Sequence, residues 1–185
     1  MIILVSPLSQ VPHLVASRAP ERIVSVLDPD AVFPDFGSAY SGRHLRLRLH
    51  DVYVASAGQV AAATEHVDDL LAFFAQWRRR EPLLIHCRAG IGRSPAAAFI
   101  AACFYNPGVD ELEVARILRR ISPISRPNES LIALADVALG RGGRMTEAIV
   151  ETGRGLAWPD VDEGRPFELP AIIKPNNALP QTQQP

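Results

Sequence analysis

The segment LLIHCRAGIGRSPAAA, residues 83–98, constrains the fold of this chain more than any other part of its sequence. Its first three residues, Leu83, Leu84 and Ile85, form a short apolar run that is typical of a buried strand. Glycines and arginines follow, and then an alanine-rich stretch that is apolar on all sides, as a buried helix is. A strand, a tight loop and a buried helix in this order predict a layered α/β domain.

The same alternation continues along most of the chain. Residues 44–50 (HLRLRLH) alternate leucine with arginine or histidine, which is the period-2 pattern of a strand with one buried face. In residues 61–80 the apolar side chains recur at helical spacing, and Arg78–Arg80 are expected to end that helix. Further strands are predicted at 2–5, 22–27 and 83–86, and further helices at 8–18, 96–104, 112–121 and 129–139.

The last part of the chain has a different composition. Residues 151–185 hold six prolines, end in QTQQP and show no periodic pattern. We therefore predict one domain over residues 1–149 and a Pro-rich, partly disordered tail over residues 150–185. Pro166, Phe167, Leu169 and Ile172 are the positions at which this tail is expected to pack.

The net charge and the number of cysteines limit the binding partners and the cellular location that are expected for this protein. The formal net charge is −1, so no bulk attraction to nucleic acid or to an anionic membrane is expected. The apolar run at Ile2–Val5 is too short for a secretory signal, and with two cysteines a cytoplasmic location is the default expectation. No cluster has metal-ligand spacing, and we expect no metal or other cofactor.

Cys103 lies about 13 Å along the helix from Ser94 at 1.5 Å per residue. This distance favours a core residue over a redox partner of Cys87.

The loop after Cys87 has the composition of an anion site. A loop that enters a helix N-terminus points backbone N–H groups and the positive end of the helix dipole at one centre, and Gly90 and Gly92 permit the turns that this needs. Arg93 adds a planar cationic fork that matches two phosphate oxygens. The same field favours thiolate over thiol at Cys87. His86 can fix the orientation of the cysteine through a hydrogen bond to neighbouring backbone, and Ser94 can donate its hydroxyl to the sulfur.

HCRAGIGRS, residues 86–94, matches the HCx5R[S/T] signature of the cysteine-based protein tyrosine phosphatases over nine consecutive residues. The chain resembles compact bacterial dual-specificity and tyrosine-phosphatase-like proteins. This resemblance implies a phosphotyrosine-protein-phosphatase-like fold, with a central, mostly parallel β-sheet flanked by helices. It implies Cys87 as the nucleophile that forms a phosphocysteine intermediate, and Ser94 as a helper in its hydrolysis. The phosphate-binding residues that it implies are Arg88, Ala89, Gly90, Ile91, Gly92 and Arg93.

A general acid is needed to protonate the departing oxygen. Asp51 is the preferred candidate, because compact dual-specificity phosphatases carry their acid on a strand-to-helix loop at a similar distance before the cysteine. The competing interpretation is an aspartate that only ends a strand. Asp28, Asp30 and Asp35 are further candidates, in a loop that lies farther upstream. The tripeptide WPD at residues 158–160 resembles the acid loop of receptor-type tyrosine phosphatases, but it follows the cysteine and is interpreted as a coincidence.

A second resemblance covers LRRISPISRPNESLIALAD, residues 118–136, which is similar to the segment after the phosphate loop of dual-specificity phosphatases. It implies that Asn128 braces that loop, while a plain helix N-cap is an equally good and compatible interpretation.

The function expected from the sequence is a metal-independent phosphomonoesterase that dephosphorylates phosphotyrosine in proteins, as a monomer or weak dimer. Phosphoserine and phosphothreonine remain open as substrates, because no aromatic phosphotyrosine-recognition motif is found. The alternatives are a pseudophosphatase that binds phosphorylated partners without turnover, a rhodanese-like sulfur transferase, and a phosphoinositide or nucleotide phosphatase. Ile91, where phosphoinositide-selective relatives tend to have a basic residue, lowers the lipid alternative.

Overall fold

The computed structural model describes residues 1–54, 56–153, 155 and 162–174. Its centre is a five-stranded sheet in the order β3-β2-β4-β1-β5. The strands are β1 (Ile2–Pro7), β2 (Arg22–Leu27), β3 (His44–Arg48), β4 (Leu83–Cys87) and β5 (Phe167–Pro170). Neighbours pair in parallel except β5, which runs antiparallel to β1. The predicted α/β fold with a mostly parallel central sheet is confirmed.

Helices cover both faces of the sheet. They are α1 (Val11–Arg18, preceded by a 3-10 turn at Leu8–Gln10), α2 (Thr64–Ala75), α3 (Arg93–Tyr105), α4 (Glu111–Ile121), α5 (Glu129–Ala138) and α6 (Arg144–Glu151). One face of the sheet packs against α1 in a small apolar cluster. The other face packs against the larger core around α3, in which residues 93–103 are all buried. This explains why residues 95–103 of α3 are all apolar, since a helix at the centre of a layer has no solvent face.

The long helix predicted over residues 61–80 is shorter than expected. It ends at Ala75, and Arg78–Arg80 lie beyond it, so the prediction that these arginines end the helix is wrong. The Glu21 carboxylate accepts hydrogen bonds from the backbone N–H groups of Arg78 and Arg80. Trp77 is buried in the core just after the helix. Hydrogen bonds to Glu21 and the burial of Trp77 therefore end the helix early, although the local sequence favours a longer one.

The C-terminal region adds two elements that the sequence analysis did not predict, α6 and β5. Leu169 in β5 and Ala171 just after it are fully buried. Asn106, at the end of α3, donates to the Ala171 carbonyl and accepts from the backbone N–H of Ile173. Residues 167–173 are thus joined to both the sheet and a central helix. The boundary between domain and tail at residue 150 stays a prediction, and the WPD tripeptide lies outside the described residues.

Within the part of the chain that the structure describes, no helix is both long and apolar enough to cross a membrane. The same residues contain no group of three or more His, Cys, Asp or Glu side chains placed to hold a metal ion.

Candidate active site at the end of the central strand

The candidate site lies at the carboxyl end of β4, between the ends of β1 and β2. In the register of the sheet, Cys87 lies beside Pro7 on one side and Val26 on the other. Residues 88–92 form a loop that leads directly into α3. Gly90 has φ of +73°, and a Cβ there would come within 2.7 Å of the Pro7 nitrogen. Only glycine satisfies both the backbone conformation and this close approach.

The sulfur of Cys87 lies in a polar, buried environment. The side chain is 1% exposed. The backbone N–H of Gly90 donates to Sγ at 3.2 Å, and the hydroxyl of Ser94 donates to it at 3.1 Å. Two donors beside a helix N-terminus stabilise a negatively charged sulfur better than a neutral one.

Four of the five carbonyl groups of the loop point away from its centre, and other parts of the chain hold them there. The donors are backbone N–H groups from the start of the 3-10 turn, from the C-terminal region and from the segment before α5. The pairs are Leu8 to Arg88 (3.0 Å), Gly164 to Ala89 (2.7 Å), Arg126 to Ile91 (2.8 Å) and Asn128 to Gly92 (3.3 Å). Because C=O and N–H point in opposite directions across a trans peptide, outward carbonyls turn the next N–H groups inward.

The guanidinium of Arg93 is oriented by two acceptors on one of its edges. Nη1 donates to Asp28 Oδ1 at 2.9 Å and to the Leu49 carbonyl at 2.7 Å. The residue is 4% exposed, and among the described residues its buried Nε has no hydrogen-bond partner. An arginine that is held at Nη1 and has an unpaired Nε among the described residues suits bidentate binding of an oxyanion.

Asp51 lies against the loop. An ideal Cβ built on Gly92 would stand 2.0 Å from Asp51 Oδ2, so this carboxylate fills the space that a side chain at position 92 would need. Asn128 Nδ2 donates to Asp51 Oδ1 at 2.9 Å. The structure therefore brings Asp51, Gly92 and Asn128 together, although they lie far apart in the sequence.

Asn128 makes both kinds of contact that the sequence analysis considered. Its side chain caps α5 by accepting from the Leu131 N–H at 2.9 Å. Its backbone N–H donates to the Gly92 carbonyl of the loop. One residue thus joins the start of α5, the loop and Asp51.

Comparisons with known proteins agree with this architecture. The chain matches the crystal structure of DUSP15 over 80% of its own length and 89% of that chain, with 16% identity and a TM-score of 0.56. It matches the human tyrosine phosphatase-like serine/threonine/tyrosine-interacting protein over 74% and 86%, with 18% identity and a TM-score of 0.54. The match to the Yvh1 phosphatase domain from Chaetomium thermophilum covers 76% and 91%, with 18% identity and a TM-score of 0.53.

The chain has the fold of the cysteine-based phosphatases. This confirms the fold that the HCx5R[S/T] resemblance implied. Because the identities are low, the similarity concerns the fold alone. No protein-family model and no curated protein matches the sequence.

On this phosphatase fold, His86 has a partner that the sequence analysis did not predict. Its Nε2 lies 2.6 Å from the hydroxyl of Ser25 on the neighbouring strand β2, and the same hydroxyl lies 2.8 Å from His44 Nε2. Burial lowers the pKa of His86 and of His44 to about 4. Both rings are therefore neutral at pH 7, and the Ser25 hydroxyl donates to one and accepts from the other.

Asp28, one of the less favoured candidates for the acid, has a contact that the sequence analysis does not predict. Its Oδ1 pairs with Arg93 Nη1 at 2.9 Å. The sequence did contain a signal, since Asp28 directly follows β2, and the carboxyl ends of adjacent parallel strands lie at one edge of a sheet. Asp35 accepts from the Gly37 N–H in its own turn. Cys103 is buried in the core, where burial raises the pKa of its thiol.

A cavity of about 410 Å³ opens beside the Asp51 segment of the phosphatase fold. Tyr53, Pro127 and Ile149 give it apolar surface, and the charged residues Arg126 and Glu129 also line it. The Ser130 hydroxyl holds the Tyr53 carbonyl at 2.6 Å. This cavity has the size and lining that an apolar or aromatic substrate group needs.

Proposed function

We propose that this protein is a metal-independent phosphomonoesterase that dephosphorylates phosphotyrosine in proteins, with phosphoserine and phosphothreonine as further candidate substrates. The observation that carries the proposal is the position of Asp51. Its carboxylate touches Gly92 in the loop that surrounds the Cys87 sulfur, so a candidate acid and a candidate nucleophile face the same anion site.

The chemistry proceeds in two steps. Cys87 Sγ attacks phosphorus, and the S–P bond forms as the bond to the leaving oxygen breaks. Asp51 donates its proton to that oxygen. In the second step a water molecule gives this carboxylate a proton and attacks phosphorus, and the Cys87 thiolate leaves with the Ser94 hydroxyl donating to it. The inward N–H groups of residues 89, 90, 92 and 93, together with the Nε side of Arg93, hold the transferring phosphoryl group.

Two observations support a protein phosphotyrosine substrate. A cavity lined by Tyr53, Pro127 and Ile149, together with Glu129, begins two residues after Asp51 in the chain, and it offers a surface for the group that carries the phosphate. Arg126, which also lines the cavity, can pair with an acidic residue beside the phosphorylated one. A pseudophosphatase is less well supported, because Asp51 is held against the loop rather than turned away from it.

The test is hydrolysis of a phosphotyrosine peptide in EDTA by wild type, Cys87→Ser and Asp51→Asn. We expect no turnover by Cys87→Ser and a fall in kcat of about 10²-fold for Asp51→Asn. Asp35→Asn is the matched control, because it removes a carboxylate that serves a turn. Vanadate binding without turnover by wild type would contradict the proposal and support the pseudophosphatase.

A further inference from the structure

We propose that Gly164 is a positioning residue for Cys87, and that it acts through the peptide group between Ala89 and Gly90. The proposal deepens the proposed function, since it assigns a role to the C-terminal region in forming the nucleophile. We call residues 162–173 the strap.

The strap contacts the outer side of the loop at one hydrogen bond. The Gly164 N–H donates to the Ala89 carbonyl at 2.7 Å, the shortest of the four bonds to outward carbonyls of the loop. A Cβ on Gly164 would stand 3.2 Å from the Gly90 carbonyl oxygen and 3.4 Å from Ile91 Cγ1. Glycine at this position allows the strap to lie directly on the loop.

This hydrogen bond reaches the sulfur through a single peptide group. The carbonyl of Ala89 and the N–H of Gly90 belong to the same planar unit and point in opposite directions. Gly164 holds the carbonyl end, and the N–H end donates to Cys87 Sγ at 3.2 Å. Donation to the carbonyl also polarises the peptide, so its N–H becomes a better donor to a negative sulfur.

The strap is held independently of the loop, so it can act as a fixed support. β5 pairs with β1, and Leu169 is fully buried. The Ala171 N–H donates to the Met1 carbonyl, and Asn106 binds the backbone at residues 171 and 173. The Ser9 hydroxyl donates to Glu163 Oε2 at 2.8 Å, next to Gly164.

The test measures the pH dependence of Cys87 alkylation by iodoacetamide, located by peptide mass spectrometry. Gly164→Pro removes the N–H donor. We expect the midpoint of the alkylation curve to move towards higher pH by about one unit, which is a tenfold fall in thiolate below the midpoint. Gly164→Ala keeps the donor and adds one methyl group, and it is expected to shift the midpoint by less than half as much.

Val114→Ala is the control for lost stability, because Val114 is a fully buried residue of α4 outside the strap and the loop. It should lower the melting temperature without moving the midpoint. If Gly164→Pro does not fold, Gly164→Val replaces it. The methyl groups of valine push the strap away from the Gly90 carbonyl, so the midpoint of the alkylation curve is again expected to move towards higher pH.

An unchanged midpoint in folded Gly164→Pro, or an equal shift in Gly164→Ala, would overturn the proposal. A lower melting temperature with an unchanged midpoint would also overturn it, because it would show that the strap only stabilises the fold. Alkylation needs no substrate, so the result is independent of whether wild type hydrolyses phosphate esters.

Discussion

Replacing Gly92 by alanine tests the position of Asp51 directly. The backbone at Gly92 has φ of −108°, which alanine adopts without strain from a positive φ. The new methyl group would stand 2.0 Å from Asp51 Oδ2, against the 3.4 Å of an ordinary contact. The carboxylate must therefore retreat by about 1.4 Å (3.4 − 2.0). Its 2.9 Å hydrogen bond from Asn128 is then stretched or lost.

The retreat should damage catalysis far more than stability. Asp51 is exposed, and its carboxylate is the end of a side chain that can rotate, so the free energy of unfolding should change by less than about 1 kcal/mol. A displacement of about 1 Å in a catalytic group costs on the order of 10²-fold in rate. We expect kcat for a phosphotyrosine peptide to fall by that factor.

The assay is the pH profile of kcat, together with vanadate affinity and the melting temperature. In the Gly92→Ala protein the alkaline limb, which reports the protonated acid, should disappear. Vanadate affinity should stay within about threefold of wild type, because the loop N–H groups and Arg93 are retained. Wild-type kcat with an intact alkaline limb would refute the assignment of Asp51 as the general acid.

Three further predictions follow from the described contacts. Asp28→Asn keeps an acceptor for Arg93 but removes a negative charge near the anion site. Vanadate should therefore bind about three- to tenfold more tightly when its affinity is measured by titration. Unchanged or weaker binding would contradict this expectation. His86 has a pKa of about 4 in the folded protein and about 6.5 when unfolded, so the unfolded state binds more protons between these values. Stability therefore falls as the pH is lowered from 6.5 to 4, and His86 should contribute up to about 3 kcal/mol to that fall. Urea unfolding at pH 7 and pH 4.5 should show a smaller difference for His86→Asn than for wild type. Glu111→Gln leaves buried Arg141 without its carboxylate partner at 2.8 Å and should lower the free energy of unfolding by about 3–5 kcal/mol, with the midpoint of Cys87 alkylation unchanged. A loss below about 1 kcal/mol on chemical denaturation would show that this ion pair contributes little.

The loop was predictable from the sequence because the residues that shape it are consecutive. Between His86 and Ser94 the strand end, the glycines and the helix start all follow one another, so local conformation decides the arrangement. The partners of the loop were harder to predict. Asp28 pairs with Arg93 only because β2 and β4 are neighbours in the sheet, which is a property of topology and not of spacing.

The two main differences from the sequence analysis have the same physical origin. The end of α2 at Ala75 depends on hydrogen bonds to Glu21, a residue that lies beyond β3 and β2 in the chain. β5 contains only four residues and forms because the edge of β1 is available to pair with it. Neither interaction leaves a periodic pattern in the local sequence, and such tertiary contacts routinely override propensity.

The hydrogen bonds that hold the outward carbonyls also have a consequence for the order of folding. They come from Leu8 near the start of the chain, from Arg126 and Asn128 in its second half, and from Gly164 close to the end of the described residues. Contacts between residues so distant in sequence form late, because the chain must close long loops before it gains them. A ribosome that has released residues 1–105 has already made Cys87 and its helix, but not three of the four donors. We therefore expect the Cys87 thiol of a nascent chain to become more reactive towards iodoacetamide once residues 126, 128 and 164 have emerged and folded.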